Sequence, residues 1–598
     1  MTVHAELDSD DVIYVTTEWR HKEQIRSIPG SKWNQAHEHW HVPLSWSACL
    51  ALRSTFSHEL EIGEKLAEWA TQERANRVDP CNELRELTEW PGDPVLFGWQ
   101  RSGAEFIRRG KQVLIADDPG AGKTATTIRG MAALYADGQN VFPMLVVCPN
   151  SMKKTWEREF QTWWPGITCS IIKGSAAQRR KQFATPAHVY IINWESLRSH
   201  SRLAPYGSIA LKKCRDHGGE DPKVRETSCQ VHERELNKFK FGAVIADECH
   251  RAKDPKSQQT RALWAAAGDA PVRVALTGTP IANDVTDLWS ILHFIAPKEW
   301  ASKTRWIDRF VDTMLNAWGG LMVIGIKAQM YDEFYAGLNP RMRRMSEDVV
   351  LRHLPPVLYE ERECEMGAKQ KKAYKQIFDD MVAELDTGVL TVGSPLTRTT
   401  RLLQFASSYA EIETIDGTDA HGFPTSKQKV TLTDPSCKID TFMDDIPDFG
   451  DQQVAVMAVS RQLIELLSAR LEKAKIPHGL VTGAQDEDER QQAMDDFQSG
   501  KTQFILFTSG AGGTGITLTA ARYLCRLQVP FSLVDFKQSM RRVRRIGSER
   551  HPNIIVRDYI TEGTIDTKVF EALQKKGESF EEVVRDQEAL LRILKESE

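Results

Sequence analysis

Residues 117–124 read DDPGAGKT, and residues 247–250 read DECH. In the first segment Gly120, Ala121 and Gly122 let backbone N–H groups wrap a phosphate chain, with Asp118 at the start of the loop. Lys123 supplies a charge for β- and γ-phosphates, and the Thr124 hydroxyl reaches Mg²⁺. In the second segment Asp247 suits Mg²⁺, and Glu248 suits the orientation or deprotonation of an attacking water. The chemistry these parts serve is hydrolysis of a nucleoside triphosphate, with ATP and Mg²⁺ as the implied cofactors. A lone GxGKT arises by chance; one followed about a hundred residues later by a strand-terminal acidic pair rarely does.

Such groups work only if a strand ends beneath them. Val113-Leu114-Ile115-Ala116 precedes the glycine loop, and a helix-favouring run, 125–134, follows it. The loop therefore sits at a strand-to-helix turn, where the helix N-terminus adds positive dipole. Ala243-Val244-Ile245-Ala246 similarly precedes Asp247. Further apolar runs lie at 144–148, 189–193 and 274–277, then at 452–459, 478–482, 503–509, 522–527 and 553–560. Continuous apolar runs alternating with helical stretches predict an α/β chain with two lobes of buried parallel sheet. The expected organisation is a small α+β module (1–60), a helical connector (61–90), a first lobe (91–355), a second lobe (356–575) and a helical tail (576–598). The first lobe would carry a polar insert at 199–240. Residues 297–430 break the rhythm and read as helical protrusions, 297–350 from the first lobe and 356–430 from the second.

Other segments add to the constellation. Gln100, in LFGWQRSGAEFI, has an amide that suits both edges of an adenine, with Phe97 or Trp99 available for stacking; a plain amphipathic helix start fits the same residues. Pro149-Asn150-Ser151 ends one strand, and Asn193 ends another. Each turn offers N–H groups and small polar side chains to a phosphodiester, or simply caps a helix. Thr277 and Thr279, in LTGTP, and His250 could relay the nucleotide state to a DNA-facing side. In QSMRRVRRIG, Gln538, Arg542, Arg545 and Gly547 fit Q-x-x-x-R-x-x-R-x-G. On one helical face, Arg542 and Arg545 would neutralise charge developing on a γ-phosphate, and Gln538 would touch the nucleotide. SGAGGTGIT (509–517) mimics a dinucleotide fingerprint with Asp535 downstream. The arginine run and the complete phosphate loop reassign it: Gly512 and Gly513 to DNA phosphate, Gly515 to the nucleotide cleft.

Cys214-x2-His217 and Cys229-x2-His232 lie within the polar insert. Two cysteines and two histidines suit tetrahedral Zn²⁺, which would explain how so polar an insert folds. A loop carrying these residues by coincidence is the competing reading.

The chain has 598 residues, 41% apolar and 27% charged, with formal net charge −5. No global basic excess announces nucleic acid, so a DNA site would be a local track. Ten cysteines without a CxxC point to a reducing compartment. No apolar run reaches the ~18 residues a membrane span needs. The expectation is a cytoplasmic, nucleoid-associated protein of a bacterium or phage-infected cell, with no membrane partner.

In order, IADDPGAGKT, LVVCPNSMKKTWEREF, DECHRAKDP, LTGTPIAND, DLWSILHFIAP, RRMSEDVVLRHLPP, TSGAGGTGITLTAA and QSMRRVRRIG resemble the blocks of Swi/Snf-like translocases of helicase superfamily two, over about residues 90–575. The resemblance implies two RecA-like lobes, ATP bound between them, and stepping along duplex DNA. It also places Arg341, Arg343 and Arg344 on DNA-gripping protrusions. Three departures stand out: Cys249 replaces a small residue of the acidic motif, Thr517 replaces an asparagine, and VPFSLVDF (529–536) replaces an aromatic-Asn-Pro turn.

Residues 25–56 resemble the HepA-related (HARP) domain of annealing helicases through Ile28-Pro29-Gly30, Trp33, Trp40 and Pro43-Leu44. That likeness implies a junction clamp in which Arg26, Lys32, Trp33 and Trp40 touch DNA. A tiny core built on the two tryptophans is the simpler expectation. The overall expectation is an ATP-dependent duplex-DNA translocase acting on forks or junctions. The alternatives are a strand-separating helicase and a motor or binding subunit of a DNA-processing or defence complex; the sequence identifies no protein partner.

Overall fold

A computed structural model describes residues 3–8, 11–203, 211–281, 285–315, 321–387, 395–418, 424–510, 516–571 and 573. The chain divides into two compact units, residues 1–350 and 351–598. Gly512, Gly513, Gly515 and the tail 576–598 lie outside the described residues.

The first unit holds a seven-stranded, wholly parallel sheet. Its spatial order is Met342–Arg343, Gln112–Ile115, Val272–Leu276, Ala243–Asp247, Met144–Cys148, Val189–Asn193 and Cys169–Ile171. Every residue of the four central runs from 144, 189, 243 and 272 is buried. Covered on both faces, these strands need no polar alternation, which is why their sequences read as unbroken apolar runs.

The same unit holds a separate five-stranded mixed sheet, ordered Lys32–Asn34, His39–Pro43, Val12–Thr16, Val3–Leu7 and Leu60–Ile62. Here only alternate residues turn inward, among them Ile13, Val15, Trp40 and Val42. The helix Trp46–Phe56 covers that face and is capped by Ser45, whose hydroxyl accepts from Ala48 N. Trp40 is core, whereas Trp33 stays 50% exposed and meets it edge-on at 5.5 Å. The module runs past residue 60: Leu60–Ile62 joins its sheet, and Leu66 of the helix Glu64–Glu73 joins its core. At that return the Glu6 carboxylate packs over Gly63 and accepts from Leu66 N at 3.0 Å.

The module is fastened to the rest of its unit by polar contacts. Ser47 donates through Oγ (2.6 Å) and N (3.2 Å) to Glu299. Arg305 donates to Ser31 O at 2.6 Å. Arg309, ion-paired with Glu333 at 2.6 Å, donates to Thr55 Oγ1 and Ala51 O.

Residues 297–350 are not simply a helical protrusion. They comprise the helices Lys303–Phe310 and Tyr331–Leu338, an antiparallel pair Val311–Leu315 and Leu321–Ile326, and the sheet strand Met342–Arg343. This strand corrects the assignment of Arg341 and Arg343 to a DNA-gripping surface. Pairing beside Gln112–Ile115 draws both side chains inward. Arg341 is 8% exposed and pairs with Glu299 at 2.9 Å; Arg343 is fully buried. Arg344 remains exposed and lies 3.4 Å from Asp118.

The second unit holds a six-stranded parallel sheet in the order Val357–Cys364, Ile554–Thr561, Tyr523–Arg526, Val454–Ala458, Phe504–Thr508 and His478–Val481. The first of these falls in 356–430, read from sequence as helical. Its glutamates and Arg362 mask the strand, since an edge position leaves most of its side chains exposed. The helices Ala368–Thr387 and Pro395–Ser407 and the antiparallel pair Tyr409–Thr418 and Pro424–Thr433 complete that stretch. With parallel sheets sandwiched by crossover helices, the units are two RecA-like α/β lobes.

Arg341→Met would strand the buried Glu299 carboxylate. We expect it to destabilise the first unit by about 3–5 kcal/mol. Urea unfolding of the full chain checks this, and an unchanged first transition would contradict it.

Candidate active site

The loop after Gln112–Ile115 takes its shape from two glycines. Gly120 (φ 90°) and Gly122 (φ 80°) adopt left-handed conformations that side chains resist. The helix Lys123–Ala136 begins at once behind them. Lys123 Nζ donates to the carbonyls of Asp117 (2.7 Å) and Asp118 (3.3 Å), so its charge rests inside the loop. Thr124 occupies the helix's first turn, next to Lys123.

The loop is braced from below. Asp117 accepts from Arg343 Nη1 at 2.9 Å and from Met345 N at 2.8 Å. Arg343 also donates to Trp99 O (2.7 Å) and Ser102 Oγ (3.0 Å). A Cβ on Gly103 would lie 2.5 Å from Arg343 Nη1, so the helix Gly98–Gly110 needs glycine where the guanidinium passes. Gln100 belongs to the same brace. Its amide donates to Ala121 O (3.2 Å) and accepts from Phe97 N (3.0 Å). With 3% exposure, it supports the loop here instead of presenting an open adenine-reading edge. Trp99 Nε1 also donates to Ala121 O at 3.1 Å, and its ring stacks on Phe97.

The acidic pair lies two strands away, with Val272–Leu276 between. Asp247 accepts from Trp156 Nε1 (2.9 Å) and Glu248 N (3.0 Å), and its carbonyl accepts from Trp194 Nε1 (2.9 Å). Burial, joined by the neighbouring Glu248 charge, pushes the Asp247 carboxyl up to about 6. Each carboxylate oxygen takes one hydrogen bond, leaving acceptor capacity for a hard cation. A buried carboxylate short of positive charge fits a Mg²⁺ ligand, and the glycine loop with Lys123 fits a triphosphate. Glu248 sits at φ 51°, a left-handed turn that ends the strand abruptly. Burial works against its charge, but His250 at 3.2 Å and Lys123 outweigh it and hold its pKa below the usual carboxylate range. It thus stays ionised, as an acceptor for water must.

His250 Nδ1 also lies 3.1 Å from Thr277 Oγ1, which accepts from Thr279 N at 3.0 Å. A Cβ on Gly278 would meet Pro119 at 2.8 Å. The LTGTP turn therefore touches both the glycine loop and the acidic motif. Cys249 is buried, and desolvation raises its thiol pKa well above normal; it fills space without reactive chemistry.

Asn150 is exposed and Ser151 half-buried, beyond Pro149 at the carboxyl end of Met144–Cys148. Asn193, next to it in the sheet, is buried and donates to Glu195 at 2.8 Å. Cys214, His217, Cys229 and His232 come together.

In the second unit Gln538 and Arg542 lie on the helix Leu533–Val543, which Ser532 caps. The helix ends at Val543, so Arg545 does not share its face with Arg542 as the spacing predicted. Arg545 lies in the following turn and donates to Thr517 Oγ1 at 2.9 Å, while Leu518 N donates to Arg542 O. The departure at Thr517 thus has a partner.

Sequence reasoning missed Trp156, Trp194, Asp117 and the bracing role of Arg343. The two tryptophans follow strand ends within segments read as DNA loops. A buried indole N–H needs an acceptor, and here both find Asp247. Trp156→Phe should weaken Mg²⁺ activation of hydrolysis by about 10–100-fold, as loss of a ligand-orienting contact does. An unchanged Mg²⁺ titration in a folded variant would refute this role.

Two domain families match the chain: the SNF2-related domain over residues 64–412, and the helicase conserved C-terminal domain over residues 438–547. Protein CHROMATIN REMODELING 5 of Arabidopsis thaliana is 25% identical over 523 residues, 84% of this chain and 28% of that protein. Putative ATP-dependent helicase/translocase YwqA of Bacillus subtilis is 25% identical over 488 residues, 81% of this chain and 48% of that protein. Among solved structures, the SWI2/SNF2 ATPase core of Sulfolobus solfataricus in complex with dsDNA is 20% identical at TM-score 0.35, covering 86% of this chain and 96% of that one. The chain thus spans about a quarter of the Arabidopsis relative and about half of the Bacillus one. With a family match covering more than half its length, the chain belongs to the SNF2-related family.

Proposed function

We propose that this chain is an ATP-driven double-stranded DNA translocase that remodels or reanneals forked DNA. Translocation agrees with the name of the Bacillus relative. The fork reading rests on one observation. A small module is fastened to the first lobe through Glu299, Arg305 and Arg309, yet leaves two large aromatics in solvent. Trp19 is 78% exposed with Lys22 Nζ 3.9 Å from its ring, and Trp33 is 50% exposed. Arg20, Arg26 and Lys32 lie exposed nearby in sequence. Exposed aromatics among basic residues suit unstacked bases at a branch point. The resemblance to the HepA-related domain supports the same reading.

In the proposed cycle Thr124 and Asp247 would hold Mg²⁺, which would supply neutralisation of phosphate charge. Lys123 binds the β- and γ-phosphates, and Glu248, kept ionised by His250, orients the attacking water. His250, with Thr277 and Thr279 of the LTGTP turn, relays the nucleotide state from the acidic motif to the DNA-facing side. Arg542 and Arg545 are assigned to the charge on the transferring phosphate. Asn150, Ser151 and Arg344 remain as candidate phosphodiester contacts.

Glu248→Gln should lower hydrolysis by about 10²–10⁴-fold with ATP binding retained; ordinary turnover would remove Glu248 from its role. Steady-state ATPase with no DNA, single strand, duplex and forked duplex tests the rest. We expect duplex to stimulate and forks to stimulate more. Trp19→Ala with Trp33→Ala should abolish the fork excess and leave the duplex rate intact. Stimulation by single strands alone would indicate a strand-separating helicase. No stimulation by any DNA would indicate a motor that needs another subunit.

A further inference from the structure

We propose that Cys214, His217, Cys229 and His232 bind one structural zinc ion that folds the insert of the first lobe. One ligand atom from each of the four lies within 4.8 Å of every other. Cys214 Sγ is 3.3 Å from His217 Nδ1 and 3.2 Å from His232 Nε2, and Cys229 Sγ is 3.9 Å from His217 Nδ1. Tetrahedral zinc, with bonds of about 2.0–2.3 Å, sets its ligands about 3.3–3.8 Å apart. The three separations of 3.2–3.9 Å lie within about 0.1 Å of that range. Thiol–imidazole hydrogen bonds would join these residues only in pairs, whereas four ligand atoms all within 4.8 Å of one another suit a single shared ion.

The surrounding backbone is built for the cluster. Cys214 precedes a single 3-10 turn, Arg215–His217, which brings the first pair of ligands together. Gly218 (φ 74°) then reverses the chain, and Gly219 N donates to Cys214 O at 2.8 Å. A Cβ on Gly219 would lie 1.7 Å from Lys213 O, so the turn requires glycine. Cys214 N points at Cys229 Sγ (3.3 Å), the kind of contact that steadies a metal-bound thiolate.

Between Leu211 and Arg234 the insert buries little of itself. Among described residues 211–234, Cys214 and Cys229 alone are buried. A segment that buries so little apolar surface does not offset the entropy of ordering it, whereas a metal bound only by the folded form does. Two thiolates and two imidazoles select Zn²⁺ over hard cations, and four protein ligands leave no position open for catalysis. The ion's role is positional. Gln230 joins Lys212 and Leu203 by backbone hydrogen bonds, and Arg234 donates to Ser199 O at 2.8 Å. The knuckle thereby ties down the excursion between Trp194–His200 and Ala243–Asp247, the segments bearing Trp194 and Asp247.

Elemental analysis of the full chain, purified without added metal, should find about one zinc per chain. Replacement by Co²⁺ should produce a thiolate-to-cobalt charge-transfer band and strong visible bands of a tetrahedral site. Cys214→Ser with Cys229→Ser should lose the zinc. Chelation of the wild-type chain should speed tryptic cleavage within residues 212–225 by about tenfold, even if that variant folds poorly. Absence of zinc together with no cobalt band would overturn the proposal. Zinc retained by the double variant, or unchanged proteolysis after the metal is stripped, would do so equally.

Discussion

A buried guanidinium beneath the phosphate loop organises the first lobe. Arg343 and Asp117 are both sealed from water, and each would be untenable there alone. Their pairing joins three parts distant in sequence. Asp117 opens the glycine loop, Arg343 lies on the outer strand Met342–Arg343, and Trp99 and Ser102 belong to the helix before the loop. The loop's shape, which its glycines make accessible, is therefore braced by an ion pair beneath it. A charge pair held this rigidly gives Lys123 and the loop N–H groups fixed positions before any nucleotide arrives, and such preorganisation is the main protein contribution in phosphoryl transfer.

Just before the same strand lies a second buried arginine with a different reach. Arg341 donates to Gln112 O, at the base of the loop's strand, and to Glu299, whose other oxygen accepts from Ser47 of the amino-terminal module. Burial disfavours the Glu299 charge, but Arg341, Arg77 and Ser47 more than compensate and hold its pKa below the usual carboxylate range. Module, strand and phosphate loop thus share one polar chain. Whatever the module binds is held at a fixed place on the first lobe, not on a loose tether.

The second unit treats its charges in the same way. Arg526 and Asp558 form a buried two-pronged pair, and Asp445 gathers Arg362, Arg557 and Tyr559. These contacts hold neighbouring strands of its sheet in register. Arg542 and Arg545 stand apart from that set. One lies on a helix and the other past its end, joined by hydrogen bonds to residues 517–518.

The sequence by itself determined the local pieces. Buried parallel strands are apolar throughout, so nearly every central strand of both sheets was legible. The glycine loop, the acidic pair, LTGTP and the Cys/His spacing are fixed by short-range chemistry, and each lies where its neighbours require. Tertiary structure decided what depends on contacts between distant segments. Edge strands such as Val357–Cys364 expose charged residues and read as helix. Arg341 and Arg343 read as surface cations, because only pairing beside Gln112–Ile115 brings them to Glu299 and Asp117. Gln100 read as a base-reading amide until Ala121 and Phe97 took its hydrogen bonds. Residue type and spacing report what a side chain can do; which partner it meets is set by the fold, through burial and the need to satisfy every charge it encloses.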